Sequence, residues 1–245
     1  MVFLQLLKTD GGTGEPVSRG TGEPVGKPGS RGTGEPGTTG RRPTGFPASR
    51  LPGSPVFPSK LLLFKDRYPA RMPKGSKLGE RLGRYTAMAL EMGAAHALAI
   101  KASDIAWDPR TYLKCMYGCK DWGHNWTCPS APGALRPWDF KNILKRYKGA
   151  ILVHCADKKL SQKISYALER QAFLDGHYFA FSLSDCSLCD KCAHPEPCRV
   201  PRQARPAMQA MGIDVYATAR RQGLPLSPLH DENEPQNWYS LVLIE

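Results

Sequence analysis

The pattern of apolar and polar positions divides the chain at about Leu78. Downstream, "KLGERLGRYTAMALEMGA" places Leu78, Leu82, Tyr85, Met88, Ala89 and Met92 at helical spacings, and Gly93 is placed to end that helix. "AHALAIKA" alternates as a strand does. Residues 137–148, "PWDFKNILKRYK", open on a proline suited to a first helical turn and put Phe140, Ile143, Leu144 and Tyr147 on one face. "AILVHCA" is a β-prone apolar run between Gly149 and Asp157, which predicts a buried strand. An amphipathic helix over "KKLSQKISYALERQAFLDG" and a strand over "YFAFSLS" follow. After a cysteine-rich loop, "RQARPAMQAMGI" and "VYATARRQG" predict short helices, the first ended by Gly212, and "WYSLVLIE" predicts a closing strand. Helices alternating with strands predict an α/β or α+β fold, a layered sheet and helices with cysteine-rich loops, over residues 75–245.

Upstream the pattern is different. Residues 11–57 hold "GTGEPV" twice and "GTGEPG" once amid Gly, Pro, Ser, Thr and Arg, with few large apolar side chains to offset the entropy of ordering. Residues 1–70 are therefore expected to be a disordered leader. The repeats carry a second reading, in which translation starts downstream near Met72 and the leader is not native coding sequence; an intact mass that includes residues 1–71 would refute it.

Composition and charge narrow the function classes. A hydrophobic share of 41% supports a packed core, and no run of eighteen apolar residues marks a membrane span. The opening "MVFLQLLKTD" lacks the basic region of a secretory signal, so the cytoplasm is the expected compartment. The formal charge of +12 is scattered rather than gathered into a stripe, and nucleic acid is not an expected partner. There is no P-loop, no dinucleotide fingerprint and no G-x-S-x-G elbow, which leaves hydrolase and nicotinamide chemistry without support.

The eight cysteines change the picture. In a reducing compartment, closely spaced cysteines read as metal ligands or redox thiols before disulfides. "DCSLCDKCAHPEPC", residues 185–198, spaces Cys186, Cys189, Cys192 and Cys198 as C-x2-C-x2-C-x5-C. Two successive two-residue gaps let three thiolates surround one face of an iron–sulfur cubane while a fourth arrives from farther along. The last gap is two residues longer than in the bacterial ferredoxin run, and Pro197 precedes the final cysteine instead of following it. Structural zinc, which prefers two separated pairs of thiolates, is the alternative, with disulfide or free-thiol chemistry behind it.

A second block, "KCMYGCKDWGHNWTCP", spaces Cys115, Cys119 and Cys128 as C-x3-C-x8-C. Gly118 and Gly123 permit tight turns, and the fourth corner of a metal site could come from Cys198, Cys155, His124, water or a substrate. Radical-SAM chemistry is excluded because Trp122 stands where a third cysteine is required. The competing reading is buried structural cysteines beside an aromatic cluster of Tyr117, Trp122 and Trp126.

The order "KCMYGC...W.CP", then a helix and strand, then "DCSLCDKCAHPEPCRVP...RPAMQAMGIDV" resembles the DUF2284 family of predicted metal-binding proteins over about residues 78–245. The resemblance implies metal binding, with Cys115, Cys119 and Cys128 matching the family's first cysteine block and Cys186, Cys189, Cys192 and Cys198 its second. Cys155 lies outside both.

Among the remaining polar residues, His154 is expected to be a satisfied core histidine, His124 a lesser ligand candidate and His194 a loop histidine able to tune a cluster. Arg199, Arg202 and Arg205 would compensate a negative cluster, dock an acidic electron partner, or form a solvated basic face. The expected function is metal binding through one or two 4Fe-4S clusters, for electron transfer or redox activation of a partner protein. The alternatives are a small-substrate reductase with an open metal at the first block and a zinc-stabilised interaction module. No motif sets the oligomeric state.

Overall fold

The computed structural model describes residues 77–231 and 234–244. The expected leader and Met72 lie outside the described residues. Four apolar runs form one antiparallel sheet in the order β1-β2-β4-β3, from β1 (His96–Lys101), β2 (Gly149–Cys155), β3 (Phe181–Leu183) and β4 (Trp238–Ile244). The helices are α1 (Lys77–Glu91), α2 (Arg110–Gly118), α3 (Pro137–Leu144), α4 (Lys158–Leu174) and α5 (Val215–Arg221). The class is α+β. Both β2 and β3 run antiparallel to β4, so they are parallel to one another, and the last strand enters the sheet between them.

Every residue of β2 is buried, which explains why its sequence runs apolar without alternation: both faces of the sheet are covered. On one face Ile151, Val153, Val242 and Ile244 pack with Leu82, Tyr85 and Ala89 of α1 and Ile164, Leu168 and Ala172 of α4. On the other, Leu98, Leu152, Leu241 and Leu243 meet Phe140 and Leu144 of α3, together with Met208, Met211, Ile213 and Ala219. Asp157 caps α4 by accepting from the Leu160 amide at 2.7 Å, and Asp214 caps α5 by accepting from the Ala217 amide at 2.9 Å. Pro137 opens α3 as its fixed φ favours.

Three predicted elements are shorter than their sequence patterns. "YFAFSLS" contributes only Phe181–Leu183 to the sheet, and Tyr178 and Phe179 are exposed before it. "RQARPAMQAMGI" yields a single 3-10 turn, Gln209–Met211, because Pro206 and Gly212 bracket it. The helix from Pro137 ends at Leu144, and Tyr147 instead donates its hydroxyl to the Phe179 carbonyl at 2.7 Å. One helix was not anticipated. In α2 only Cys115 is buried, while Leu113 and Tyr117 face solvent, so no apolar stripe announces it.

Gly212 connects this face of the sheet to the start of α2. It ends the 3-10 turn at φ +84°, its carbonyl accepts from the Asp108 amide at 2.8 Å, and Trp107 pairs with Ile213 beside it. A Cβ at this position would stand 2.4 Å from Trp107 Nε1, which donates to the Met211 carbonyl. Conformation and space both require glycine. Gly212→Ala is expected to lower stability by about 1–3 kcal/mol for the left-handed backbone alone, and more for the displaced indole. A urea melt with an unchanged midpoint would show that Trp107 does not pack there.

Candidate metal centre

The second cysteine block is a loop that leaves β3 at the edge of the sheet and returns to the core at Met208. Because the loop has no repetitive backbone pairing of its own, side chains must hold it. One helix supplies them. Gln162 of α4 accepts at Oε1 from both the Ser187 amide (2.7 Å) and the Ser187 hydroxyl (2.9 Å), which fixes the backbone next to Cys186. Two turns on, Glu169 takes the other end of the loop: Arg205 Nε donates to its Oε2 at 2.8 Å and Arg205 Nη2 to its Oε1. The Ser182 amide and hydroxyl donate to the same carboxylate at 2.7 and 2.6 Å, tying in β3. The guanidinium lies 5.2 Å from the ring centroids of both Tyr166 and Phe181.

Held in this way, Cys186, Cys189, Cys192 and Cys198 all line one small cavity of about 30 Å³, which Asn125 and Trp126 of the first block also line. All four thiols are half-buried, and all eight cysteines of the chain are free of disulfides. Two buried polar atoms without hydrogen-bond partners lie along this loop: Gln162 Nε2, on the amide that holds Ser187, and Ser184 Oγ, two residues before Cys186. Buried donors are rarely left unspent, and donors beside thiolate ligands are where a metal centre uses them.

The first block is held separately. Cys115 is buried on α2 and Cys119 follows the helix end. The Ser130 hydroxyl donates to Cys128 Sγ at 2.9 Å and itself accepts from the Gly123 amide at 2.8 Å. Arg136 donates to the Pro129 carbonyl (2.7 Å) and to the Tyr112 hydroxyl (3.0 Å), pinning the loop to α2. Burial, with the charges of Cys119, Cys128 and Asp185 added, pushes the Cys115 thiol up to about 12. Burial also raises Cys119. A metal bound to these thiols must therefore displace their protons.

The two blocks meet. Trp126 Nε1 donates to the Glu196 carbonyl at 2.7 Å and its ring sits edge-on to His194 at 4.8 Å. Asp185, which immediately precedes Cys186, acts on both Cys115 and Cys119, and accepts from Gln209 Nε2 at 3.1 Å. Its position beside the first block was missed in the sequence, where it reads as an ordinary loop acid. Gln162 and Glu169 were missed as well, hidden inside an amphipathic helix; polar side chains at otherwise core-facing positions were the available signal.

Several expectations are sorted by these contacts. The aromatic cluster proposed as the alternative for the first block does not form: Tyr117 is exposed, Trp122 packs on Tyr112 at 5.4 Å, and Trp126 faces the second loop. Cys155 packs in the core between the sheet and α1/α4, with burial pushing it up to about 12. His124 is exposed, and His154 is a buried, hydrogen-bonded core histidine. Arg205 is spent on Glu169, leaving Arg199 and Arg202 as the exposed cations after the loop. Among the described residues no three His, Cys, Asp or Glu side chains converge on one point. The four cysteines of the second block share one cavity without closing on a point, and this soft donor set, the shared cavity and the unspent buried donors fit a thiolate-bound metal.

The family model described as "Predicted metal-binding protein (DUF2284)" matches residues 98–244, from within β1 to the end of β4, and so includes both cysteine blocks. No curated protein and no solved structure matches the chain significantly.

Burial raises the Glu169 carboxyl, but the hydrogen bonds from Arg205 and Ser182 outweigh it and hold the group below the ordinary glutamate range. A depressed folded-state value means that its stabilisation is complete above the unfolded-state value and is lost as pH falls through the folded-state one. Arg205→Ala, which leaves the carboxylate buried and alone, is expected to cost about 3–5 kcal/mol. That loss should shrink in melts run at acid pH, where the carboxyl is protonated; a pH-independent difference would refute the ion-pair account.

Proposed function

Because the chain belongs to the DUF2284 family of predicted metal-binding proteins, we propose that Cys186, Cys189, Cys192 and Cys198 hold a 4Fe-4S cluster that serves electron transfer to, or redox activation of, a partner protein. The observation that carries this reading is that all four thiols of the C-x2-C-x2-C-x5-C run line one cavity. A cluster bound there supplies one-electron chemistry. The chain's own part is positioning and tuning. Gln162 and the Glu169–Arg205 pair hold the two ends of the loop, and Gln162 Nε2 and Ser184 Oγ are donors available to thiolate sulfur. The half-buried thiols lie near solvent, and exposed Arg199 and Arg202 favour approach of an acidic partner. Eight free cysteines suit a reducing compartment, and we place the protein in the cytoplasm on that ground; no helix among the described residues is long and apolar enough to cross a membrane.

A second reading has its own observation. Cys115 of the first block lines a much larger cavity, of about 610 Å³, which favours a metal or second cluster held by Cys115, Cys119 and Cys128 beside a small substrate. Anaerobic purification followed by iron, sulfide and zinc analysis tests both readings. About four irons and four sulfides per chain, with a broad absorption near 400 nm, support one cluster, and about eight bring in the first block. About one or two zincs in a colourless protein would overturn the redox reading. Cys189→Ala is expected to abolish the metal of the second block, whereas Cys155→Ala should leave metal content at the wild-type level.

A further inference from the structure

The cavity of about 610 Å³ is of the size that small-molecule sites occupy, and its walls are mostly apolar and aromatic with a few polar groups. Tyr216 contributes flat aromatic surface, and Leu226 apolar surface, between α5 and the segment that leads into β4. Cys115 and Asp185 form the wall shared with the cysteine blocks.

Which ligand chemistry suits it follows from which polar groups are already engaged. Asp108 is held by Arg110, Asp214 caps α5, and Asp185 accepts from Gln209. Lys114 already has a partner, the Ser227 hydroxyl also lies on the wall, and two nitrogen donors there are open to a ligand. Arg220, in the last turn of α5, makes no ion pair among the described residues. Asn237 is the second, and a buried pair of histidines sets its orientation. His154 Nε2 lies 2.8 Å from Asn237 Oδ1, and an amide oxygen only accepts, so the Nε2 proton belongs to His154. Burial, aided by His96, pushes His154 down to about 4 against the opposing hydrogen bond to Asn237, so the ring is neutral and its Nδ1 accepts from His96 Nδ1 at 2.8 Å. Both rings are locked further by stacking, His96 on His154 at 5.1 Å and His154 on Tyr239 at 4.7 Å. With Oδ1 taken, the Asn237 amide presents Nδ2 as its remaining donor at the cavity wall.

We propose that this cavity is the binding site for a small carboxylate with a planar, apolar body, whose carboxylate is received by Arg220 and Asn237 Nδ2 and whose ring stacks against Tyr216. Arg220 supplies the charge and Asn237 a fixed amide donor, while the aromatic wall supplies stacking area. The His96–His154 pair is a positioning device that keeps Asn237 from rotating. The inference goes beyond the metal reading and stands whether the thiols hold iron or zinc.

The test titrates the full-length purified protein with 1-naphthoate and, in parallel, the neutral isostere 1-naphthamide, following tryptophan fluorescence and heat. Saturable binding of the naphthoate is expected, with the amide weaker by about tenfold or more, the value of a charge-assisted hydrogen bond. Arg220→Gln, at an exposed position, should weaken naphthoate by a similar factor while leaving metal content and naphthamide affinity unchanged. Non-saturable binding, equal affinity for acid and amide, or an unaltered Arg220→Gln titration would each overturn the proposal. Metal content measured on the same samples separates these outcomes from a failure of the metal reading.

Discussion

The buried ion pair between Glu169 and Arg205 is the constraint on which the cysteine-rich region depends. A loop of this length, with its four cysteines, prolines and few core residues, cannot order itself by burial, and must be fastened at both ends. The carboxylate is doubly used: it receives the Arg205 fork and both donors of Ser182, so one charge on α4 ties the loop's exit to the strand from which the loop departs. A buried charge is tolerable only when its hydrogen bonds are complete, and here the partners come from two separate parts of the chain, Ser182 of β3 and Arg205 after the cysteine loop. The pair therefore enforces one arrangement rather than merely adding stability. Gln162, on the same helix, does for the entrance of the loop what Glu169 does for its exit.

The sheet topology decides where this fastening is placed. With β4 inserted between β2 and β3, β3 becomes an edge strand, and the chain leaving it can be gripped by α4 on one face and then pass to the other face at Met208. The face covered by α1 and α4 is an apolar core in which Cys155 is one more buried side chain. The opposite face carries α2, α3, α5 and irregular segments, and there Cys115 and the large cavity are found. Trp126 and Asp185 join the two blocks, each reaching from one block to the other.

Strand register places the histidine pair. His96 and His154 face one another across β1 and β2 in register, deep in the sheet, and their hydrogen-bonded line ends at Asn237 on the cavity wall. The neutral His154 ring conveys orientation without the desolvation cost of a buried charge. Core packing at the edge of the sheet and the arrangement of a polar surface group are in this way one piece of structure.

Much of the fold was legible in the sequence because burial imposes periodicity. The stripe of α1, the proline at the start of α3, the long amphipathic α4 and the unbroken apolar runs of β2 and β4 were all readable, as were the two cysteine blocks, whose spacing is a local property. The DUF2284 match extends over the same two blocks. Elements that bury one side chain or none were not readable: α2 carries Cys115 inward and otherwise faces solvent, and the stretch before Gly212 is helical in composition but confined to one 3-10 turn by its proline and glycine. The sequence by itself determined which residues could be ligands and which segments could be core. Only the tertiary structure decided that Asp185 lies beside Cys115, that Arg205 is consumed by Glu169, and that Asn237 is oriented by His154. The reason is physical: each of these contacts joins groups far apart along the chain, and their proximity is set by strand order and helix packing, which no local pattern encodes.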